Sequence, residues 1–151
     1  MAAITLVTGA IQTLTTSALD ALGNVTYVSA GILTHTTNDP LDVLLQVKVT
    51  PGTISGNKQV VVFAQGSLDG TDFESGPTSG TVTVDEPNLT FIGTIPCNTN
   101  SVAQIGVFSL APAFGGSLPA QTRIIIKNDS GAALAASGHY VKYAEVSGAS
   151  A

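Results

Sequence analysis

The feature that most constrains the fold of this chain is a succession of short runs rich in Val, Ile, Thr and Phe, divided by turns of Gly, Pro, Asn and Asp. The clearest run is 42–50, in which Val43, Leu45, Val47 and Val49 fall on one face and Gln46, Lys48 and Thr50 fall on the other. An apolar residue at every second position is typical of a strand with one buried face. The pattern therefore predicts an all-β fold.

A second strong run, Gln59–Gln65, follows turn signals at Pro51-Gly52 and Ser55-Gly56-Asn57. These turn residues predict a hairpin between the two runs. Because Val60 to Phe63 are all apolar, both faces of this strand are expected to be covered. It is predicted to lie centrally in its sheet or beneath another segment.

Further strands are predicted at regular spacing along the rest of the chain, with connections too short for the helical crossovers of a parallel sheet. Their expected ranges are Thr81–Val84, Leu89–Ile95, Val102–Leu110, Thr122–Lys127 and His139–Val146. Seven or eight short antiparallel strands indicate a two-sheet β-sandwich, jelly-roll-like or immunoglobulin-like. The jelly-roll order is the prediction here.

We expect one domain with three parts: an N-terminal arm with the first strands over 1–40, a sandwich body over 41–146 and a flexible tail over 147–151. The first part holds strand-like runs at 4–7, 11–14 and 25–32, and 15–22 fits a short capped helix equally well. An extended arm can add a strand to a neighbouring subunit. The alternative is that these residues form ordinary edge strands of the same domain.

Charge excludes several classes of function. Charged residues make up only 10% of the chain, the net charge is −5 and no basic stretch occurs, so nucleic-acid binding is not expected. The N-terminus, residues 1–7, has neither a positive region nor a long apolar run, which predicts no secretory signal and no membrane anchor, and synthesis in a cytoplasm. Nineteen Thr, thirteen Ser and sixteen Gly predict a neutral, hydroxyl-rich surface. The single cysteine, Cys97, is expected to be a small buried side chain.

Residues suited to catalysis are few. The two histidines are His35, in the polar run 34–40, and His139, after Ser137-Gly138, and both positions suit exposed polar residues with structural roles. No nucleophile elbow, phosphate loop or zinc-protease helix motif occurs. We therefore predict no enzymatic activity and no cofactor.

The densest acidic group contains Asp69, Asp72 and Glu74, which together resemble ligands for Ca²⁺. An Asp-Gly pair after a strand is first of all a turn signal, and the order differs from an EF-hand loop, so a turn is favoured over a metal site. Carboxylate pairs for glycoside cleavage are not favoured either, because the chain has no Trp and its only tyrosines are Tyr27, Tyr140 and Tyr143.

The segment 60–76, a hydrophobic strand leading into a Ser-x-Asp-Gly-Thr-x-Phe turn at 67–73, resembles a pattern in small structural proteins of tailed bacteriophages. Segments 111–119 and 124–131 are similar in character, and the resemblance extends over roughly 42–146. It implies a virion component, a capsid decoration or cement protein on the head lattice, often a trimer. It carries over no catalytic residues.

The partners expected on this basis are the major capsid protein and further copies of the chain, as a homotrimer. A positive mean hydropathy without a membrane segment suggests that some apolar surface is covered only on assembly. The predicted interface residues are Leu6, Val7, Ile11, Leu14, Phe114 and Leu118. The alternatives are a tail, fibre or baseplate module that contacts a host receptor or glycan, with an exposed tyrosine cluster, and an enzyme or metal-binding module with a site at the acidic turn.

Overall fold

The computed structural model of the chain describes residues 4–35 and 40–150, without the side chain of Ser150. Residues 1–3, most of the polar run expected at 34–40, and Ala151 of the expected tail lie outside the described residues.

The described residues form ten strands and no α-helix, so the predicted all-β class is confirmed. The strands are β1 Ile4–Thr8, β2 Gln12–Thr15, β3 Thr26–Thr34, β4 Asp42–Val49, β5 Gln59–Ser67, β6 Ser79–Gly80, β7 Thr90–Pro96, β8 Gln104–Ser109, β9 Gln121–Asp129 and β10 Tyr140–Ser150. Two 3₁₀ turns, Glu86–Asn88 and Ala111–Phe114, lie in connections.

The strands form two antiparallel sheets, as the short connections predict. Sheet A has the order β1-β10-β4-β8, with β2 pairing with another stretch of β10. Sheet B has the order β6-β3-β9-β5-β7. The arrangement is that of a β-sandwich.

The main core lies between the sheets. The β4 residues Val43, Leu45, Val47 and Val49 are fully buried, and they belong to one cluster with the inward side chains of β5 and β9. Each such aliphatic side chain stabilises the fold by about 1.5–3 kcal/mol through removal from water. The alternation seen in the sequence thus identifies the inner face of β4 correctly.

The predicted hairpin between the first two strong runs is wrong, because β4 lies in sheet A and β5 in sheet B. The connection 50–58 instead crosses the end of the sandwich, where the Ser55 N–H donates to the Ser130 carbonyl at 2.8 Å. Turn residues specify a change of direction, but they do not specify whether the chain returns to the same sheet.

The prediction that β5 is central and covered is confirmed. This strand lies between β9 and β7, and its outer face contributes Val61 and Phe63 to a second apolar cluster with Tyr27, Leu89 and Ile125. The segment 68–89, here called the β5–β7 connection, folds over this outer face of sheet B. Sheet B is therefore apolar on both sides.

Two predicted elements differ locally. Thr81–Val84 is not a strand, since the exposed Val82 and Val84 face no partner strand and the chain turns into the 3₁₀ turn at Glu86. The capped helix considered for 15–22 is replaced by turns. The Thr15 hydroxyl does accept from the Ala18 N–H at 3.1 Å, as a helix cap would, but Leu19 is drawn fully into the core.

The ends of the chain form a ribbon. Residues 147–150, expected as a flexible tail, are instead the last part of β10 and pair with β1, Ile4 opposite Ser150 and Val7 opposite Ser147. Pairing between β10 and β4 stops at Val146 opposite Asp42. Backbone pairing with β1 explains why these small residues are extended.

Candidate interaction surface

The outer face of sheet A presents apolar side chains to solvent. Because alternate β4 residues point into the core, Gln46 and Lys48 point outward, and the register places Val107 and Ile105 of β8 beside them. Ile105 is 54% exposed and Val107 is 62% exposed. We call this surface the sheet A face. It comprises Leu44, Gln46, Lys48, Ile105, Val107, Tyr140, Lys142 and Ala144.

A shallow groove of about 180 Å³ lies in the sheet A face. Ala144 lies at its base, and Ile11, Leu44 and Val107 are among its lining residues. Ile11 reaches the groove from the connection between β1 and β2 and is itself 72% exposed. The groove is therefore an unfilled apolar site on the surface of the protein.

Two lysines make the sheet A face cationic. Lys142 lines the groove, and its Nζ lies 4.4 Å from the centroid of the Tyr140 ring, which the Lys48 Nζ approaches at 5.6 Å. In the described part of the chain, the one salt bridge joins Lys127 and Glu86, so neither lysine of this face is in one. Cation–π contacts hold both ammonium groups over one ring without neutralising them.

The β5–β7 connection has the opposite charge. It contains five of the ten acidic residues of the chain and no Lys or Arg. Glu86 is one carboxylate that attaches it to sheet B, since its Oε2 accepts from the Lys127 Nζ at 2.6 Å and from the Tyr27 hydroxyl. Burial alone would raise the pKa of Glu86, but these hydrogen bonds and the Lys127 charge outweigh it and lower that pKa.

The acidic turn uses its carboxylates to fix its own backbone. Asp69 Oδ1 accepts from the N–H groups of Asp72 at 2.9 Å and Thr71 at 2.8 Å, which, with the Ser67 hydroxyl, lower the pKa of Asp69. Glu74 Oε2 accepts from the Gly66 N–H at 2.9 Å. Asp69, Asp72 and Glu74 do not converge, and no group of three His, Cys, Asp or Glu residues suited to a metal ion occurs among residues 4–35 and 40–150.

This rigid turn presents one apolar side chain to solvent. Leu68 is 86% exposed, the highest value for a large hydrophobic residue in the described ranges, and it directly precedes Asp69. A cleft at the same place is lined by Asp72, Phe73 and Phe114. The Arg123 guanidinium lies 4.0 Å from the Phe73 ring centroid and so anchors the turn to sheet B.

The six residues predicted as an interface fall into two groups. Leu6, Val7 and Ile11 are exposed, at 70%, 45% and 72%. Leu14, Phe114 and Leu118 are partly buried and pack against the main core. The structure therefore exposes Leu6, Val7 and Ile11 at the surface, whereas the other three residues contribute mainly to the core.

Both histidines are buried, whereas their sequence positions suggested exposed polar residues. The His35 Nε2 lies 3.1 Å from the Thr122 hydroxyl; its Nδ1 has no hydrogen-bond partner among the described residues, and burial lowers its pKa despite the opposing charge of Glu145. His139 accepts from the Thr50 N–H and bonds the Ala135 carbonyl at 2.9 Å. These bonds join strand ends, and the hydroxyl at the His35 ring belongs to the fully buried Thr122.

The three tyrosines do not form one exposed cluster. Tyr27 is buried beneath the β5–β7 connection on sheet B, while Tyr140 and Tyr143 lie on sheet A. Tyr143 is half-buried and its hydroxyl donates to Gln12 at 3.2 Å. Cys97 is buried, as predicted, and burial raises the pKa of its thiol.

Sequence reasoning missed Ile105 and Val107 as surface residues. In β8, apolar side chains occur on both faces of the strand. Phe108 packs inward, whereas Ile105 and Val107 point outward. The available signal was the register with β4. Once the polar Gln46 and Lys48 are placed outside, their β8 neighbours must be outside too.

Comparison of the chain with protein-family models, with curated proteins and with solved structures gives no match. In the described residues, no helix has the length and apolar character needed to cross a membrane.

Proposed function

We propose that this chain is a non-enzymatic virion structural protein of a tailed bacteriophage, a decoration or cement protein that binds the outer capsid lattice and stabilises it. Its partners are the major capsid protein and further copies of itself, as a homotrimer. The observation that carries the proposal is the open apolar surface on the outer face of sheet A, where Ile105 and Val107 are exposed. Sheet B is covered by the β5–β7 connection, whereas the sheet A face and its groove are open.

A jelly-roll topology is part of the proposal. It is supported by the strand orders β2-β10-β4-β8 and β3-β9-β5-β7, in which the chain passes from one sheet to the other at almost every connection. Two interleaved four-stranded sheets of this kind are typical of jelly rolls, which recur in viral capsid domains.

The N-terminal arm is the second structural part of the proposal. All five β1 residues are exposed, and beyond Val146 the strand β10 pairs only with β1 among the residues that the structure describes. A two-stranded ribbon is marginally stable alone, so Leu6 and Val7 on this ribbon suit packing on a neighbouring subunit.

The turn at 67–73 supports the assignment to phage structural proteins through the resemblance it carries. The low charge of the chain favours close packing between subunits, since few ions must lose their water. Under this proposal the protein is made in the host cytoplasm and resides on the virion surface. It needs no cofactor and contacts neither nucleic acid nor membrane.

Co-sedimentation tests the proposal, using heads of the phage whose genome encodes this chain, prepared without it. We expect rebinding in a fixed ratio and greater resistance of the heads to heat. A doubly substituted chain, Leu6→Ser with Val7→Ser, should bind more weakly, whereas Val84→Ser, an equally simple loss of exposed apolar surface elsewhere, should bind as wild type. Absence of binding to heads, together with binding to host cells, would favour the tail or fibre alternative.

A further inference from the structure

The geometry points to a head-to-tail contact between copies of this chain, in which the Leu68 side chain of one copy enters the groove of the sheet A face of the next. This inference rests on the self-association within the proposed function and names the two surfaces that carry it. The occupant of the groove is a second copy.

The two surfaces match in shape. Leu68 is a single apolar side chain held out by a turn whose backbone is fixed by Asp69. The groove is apolar, with Ala144 at its base and Ile11 and Val107 along its lining. A fixed projection loses little conformational entropy when it binds, which favours affinity.

The charges also match. Asp69 and Asp72 are exposed beside Leu68, and Lys142 lines the groove, with Lys48 near the same Tyr140 ring. Pairing two sheet A faces with each other would instead bring four lysines together, a like-charge arrangement that is unfavourable. Complementarity therefore favours unlike surfaces of two copies over a symmetric pair of faces.

The positions of the surfaces allow such a contact to repeat. Leu68 follows the last residue of β5, and its turn lies near Phe114 and Pro119 in the connection that crosses from sheet A to sheet B at one end of the sandwich. The groove lies on the broad face of sheet A. Contacts between two different surfaces of one subunit generate rings when the rotation closes, as a trimer requires.

Two single-surface variants test the contact by sedimentation velocity. Leu68→Ser removes the projection, and Val107→Asp places a charge at the groove; both side chains are largely exposed, so both variants should fold, as circular dichroism will check. We expect wild type to form an oligomer larger than a dimer at low salt. In each variant alone, the dissociation constant should rise at least about tenfold.

Mixing the two variants gives the decisive result. Each keeps the surface that the other lacks, so the mixture should form a one-to-one dimer that grows no further. Val84→Ser, which removes a similarly exposed apolar side chain of the same connection, should assemble as wild type. Raising NaCl from about 0.02 M to about 0.5 M should weaken assembly, because salt screens the lysine and aspartate charges.

Three outcomes would overturn the inference: a wild-type chain that stays monomeric at low salt, variants with wild-type mass, or a mixture that remains monomeric. Head binding separates this result from the proposed function. If the wild type binds heads while the variants keep wild-type mass, the proposed function is supported and the inferred contact is contradicted. If the mixed variants form a dimer but the wild type does not bind heads, the inferred contact is supported and the capsid role is contradicted.

Discussion

The Nζ of Lys127 lies 2.6 Å from Oε2 of Glu86, and this ion pair joins a central strand of sheet B to the connection that covers it. The side chains are 13% and 29% exposed, so water shields them less than an ordinary surface pair. The Tyr27 hydroxyl donates to the same oxygen, and the Tyr27 ring lies under the Lys127 ammonium at 5.3 Å from its centroid. One carboxylate of the connection thus accepts hydrogen bonds from two strands of sheet B.

Glu86→Gln should lower the free energy of unfolding by about 1–2 kcal/mol at neutral pH, because the charge-assisted bond to Lys127 is lost while the shape is kept. Urea unfolding measures this change. Asp85→Asn, at the exposed neighbouring residue, should change stability by less than about 0.5 kcal/mol. Equal effects of the two substitutions would contradict a specific role for the ion pair.

The stability difference between wild type and Glu86→Gln should depend on pH. The pKa of Glu86 is lower in the folded protein than its ordinary value, so its stabilisation is complete above the ordinary carboxyl pKa and is lost as the pH falls through the folded pKa. Urea unfolding from neutral pH into acid should show the difference shrinking. A difference that stays constant into acid would count against this assignment.

Asn128→Asp should destabilise the protein by about 3 kcal/mol or more. The Asn128 side chain is fully buried; its Nδ2 donates to the carbonyls of Leu22 and Ala132 at 2.8 and 2.7 Å, and its Oδ1 accepts from the Ser130 N–H. A carboxylate would face those carbonyls without a proton to give. Thermal unfolding should show a large fall in Tm for this variant and almost no fall in Tm for the exposed control Asn98→Asp.

Gly131→Ala should cost at least about 2 kcal/mol more than Gly115→Ala. Both glycines have positive φ, +98° and +78°, so both substitutions share the backbone strain. A Cβ at Gly131 would also lie 2.5 Å from the Ser55 backbone N and O, whereas one at Gly115 would meet nothing within 4 Å. Similar urea midpoints for the two variants would show that the loop carrying Ser55 moves away freely.

Removal of residues 1–8 should leave a cooperatively folded protein, because all of β1 is exposed and Gly9 keeps its bond to the Glu145 carbonyl. Removal of residues 1–20 should cost at least about 3 kcal/mol, because it also deletes the fully buried Leu19 and the core contact of Leu14. Calorimetry of both truncations checks this. The shorter truncation is therefore the one suited to assembly experiments.

The sequence predicts well those strands in which each face is either largely buried or largely polar. Strict alternation in β4 and continuous apolar character in β5 identify their burial correctly, since each pattern reflects contacts on known sides of the strand. Partner strands are not predictable in this way. The turn residues at 51–57 are compatible with a hairpin or with a crossing to the other sheet. The sheet that β5 joins is decided by its contacts with strands that lie far away in the sequence.

The candidate surface was predictable only in part. Leu6, Val7 and Ile11 were identified as apolar residues of a weakly charged N-terminal segment, and they are exposed. Leu68 and Val107 were not, because an apolar residue in a turn or strand gives no sign of its exposure until the register and the packing of the connection are known. Interface roles for all five residues stay predictions.

The position of β10 in sheet A has a consequence for synthesis of the protein. Among the described residues, β1 and β2 pair only with β10, so these two strands have no partner in sheet A until residues 140–150 have left the ribosome. Long-range strand pairing is slow, and unpaired apolar strands are prone to aggregation in the meantime. Sheet A is therefore expected to close only after β10 has been made, and chaperones that hold β1 and β2 until then should raise the yield of native protein.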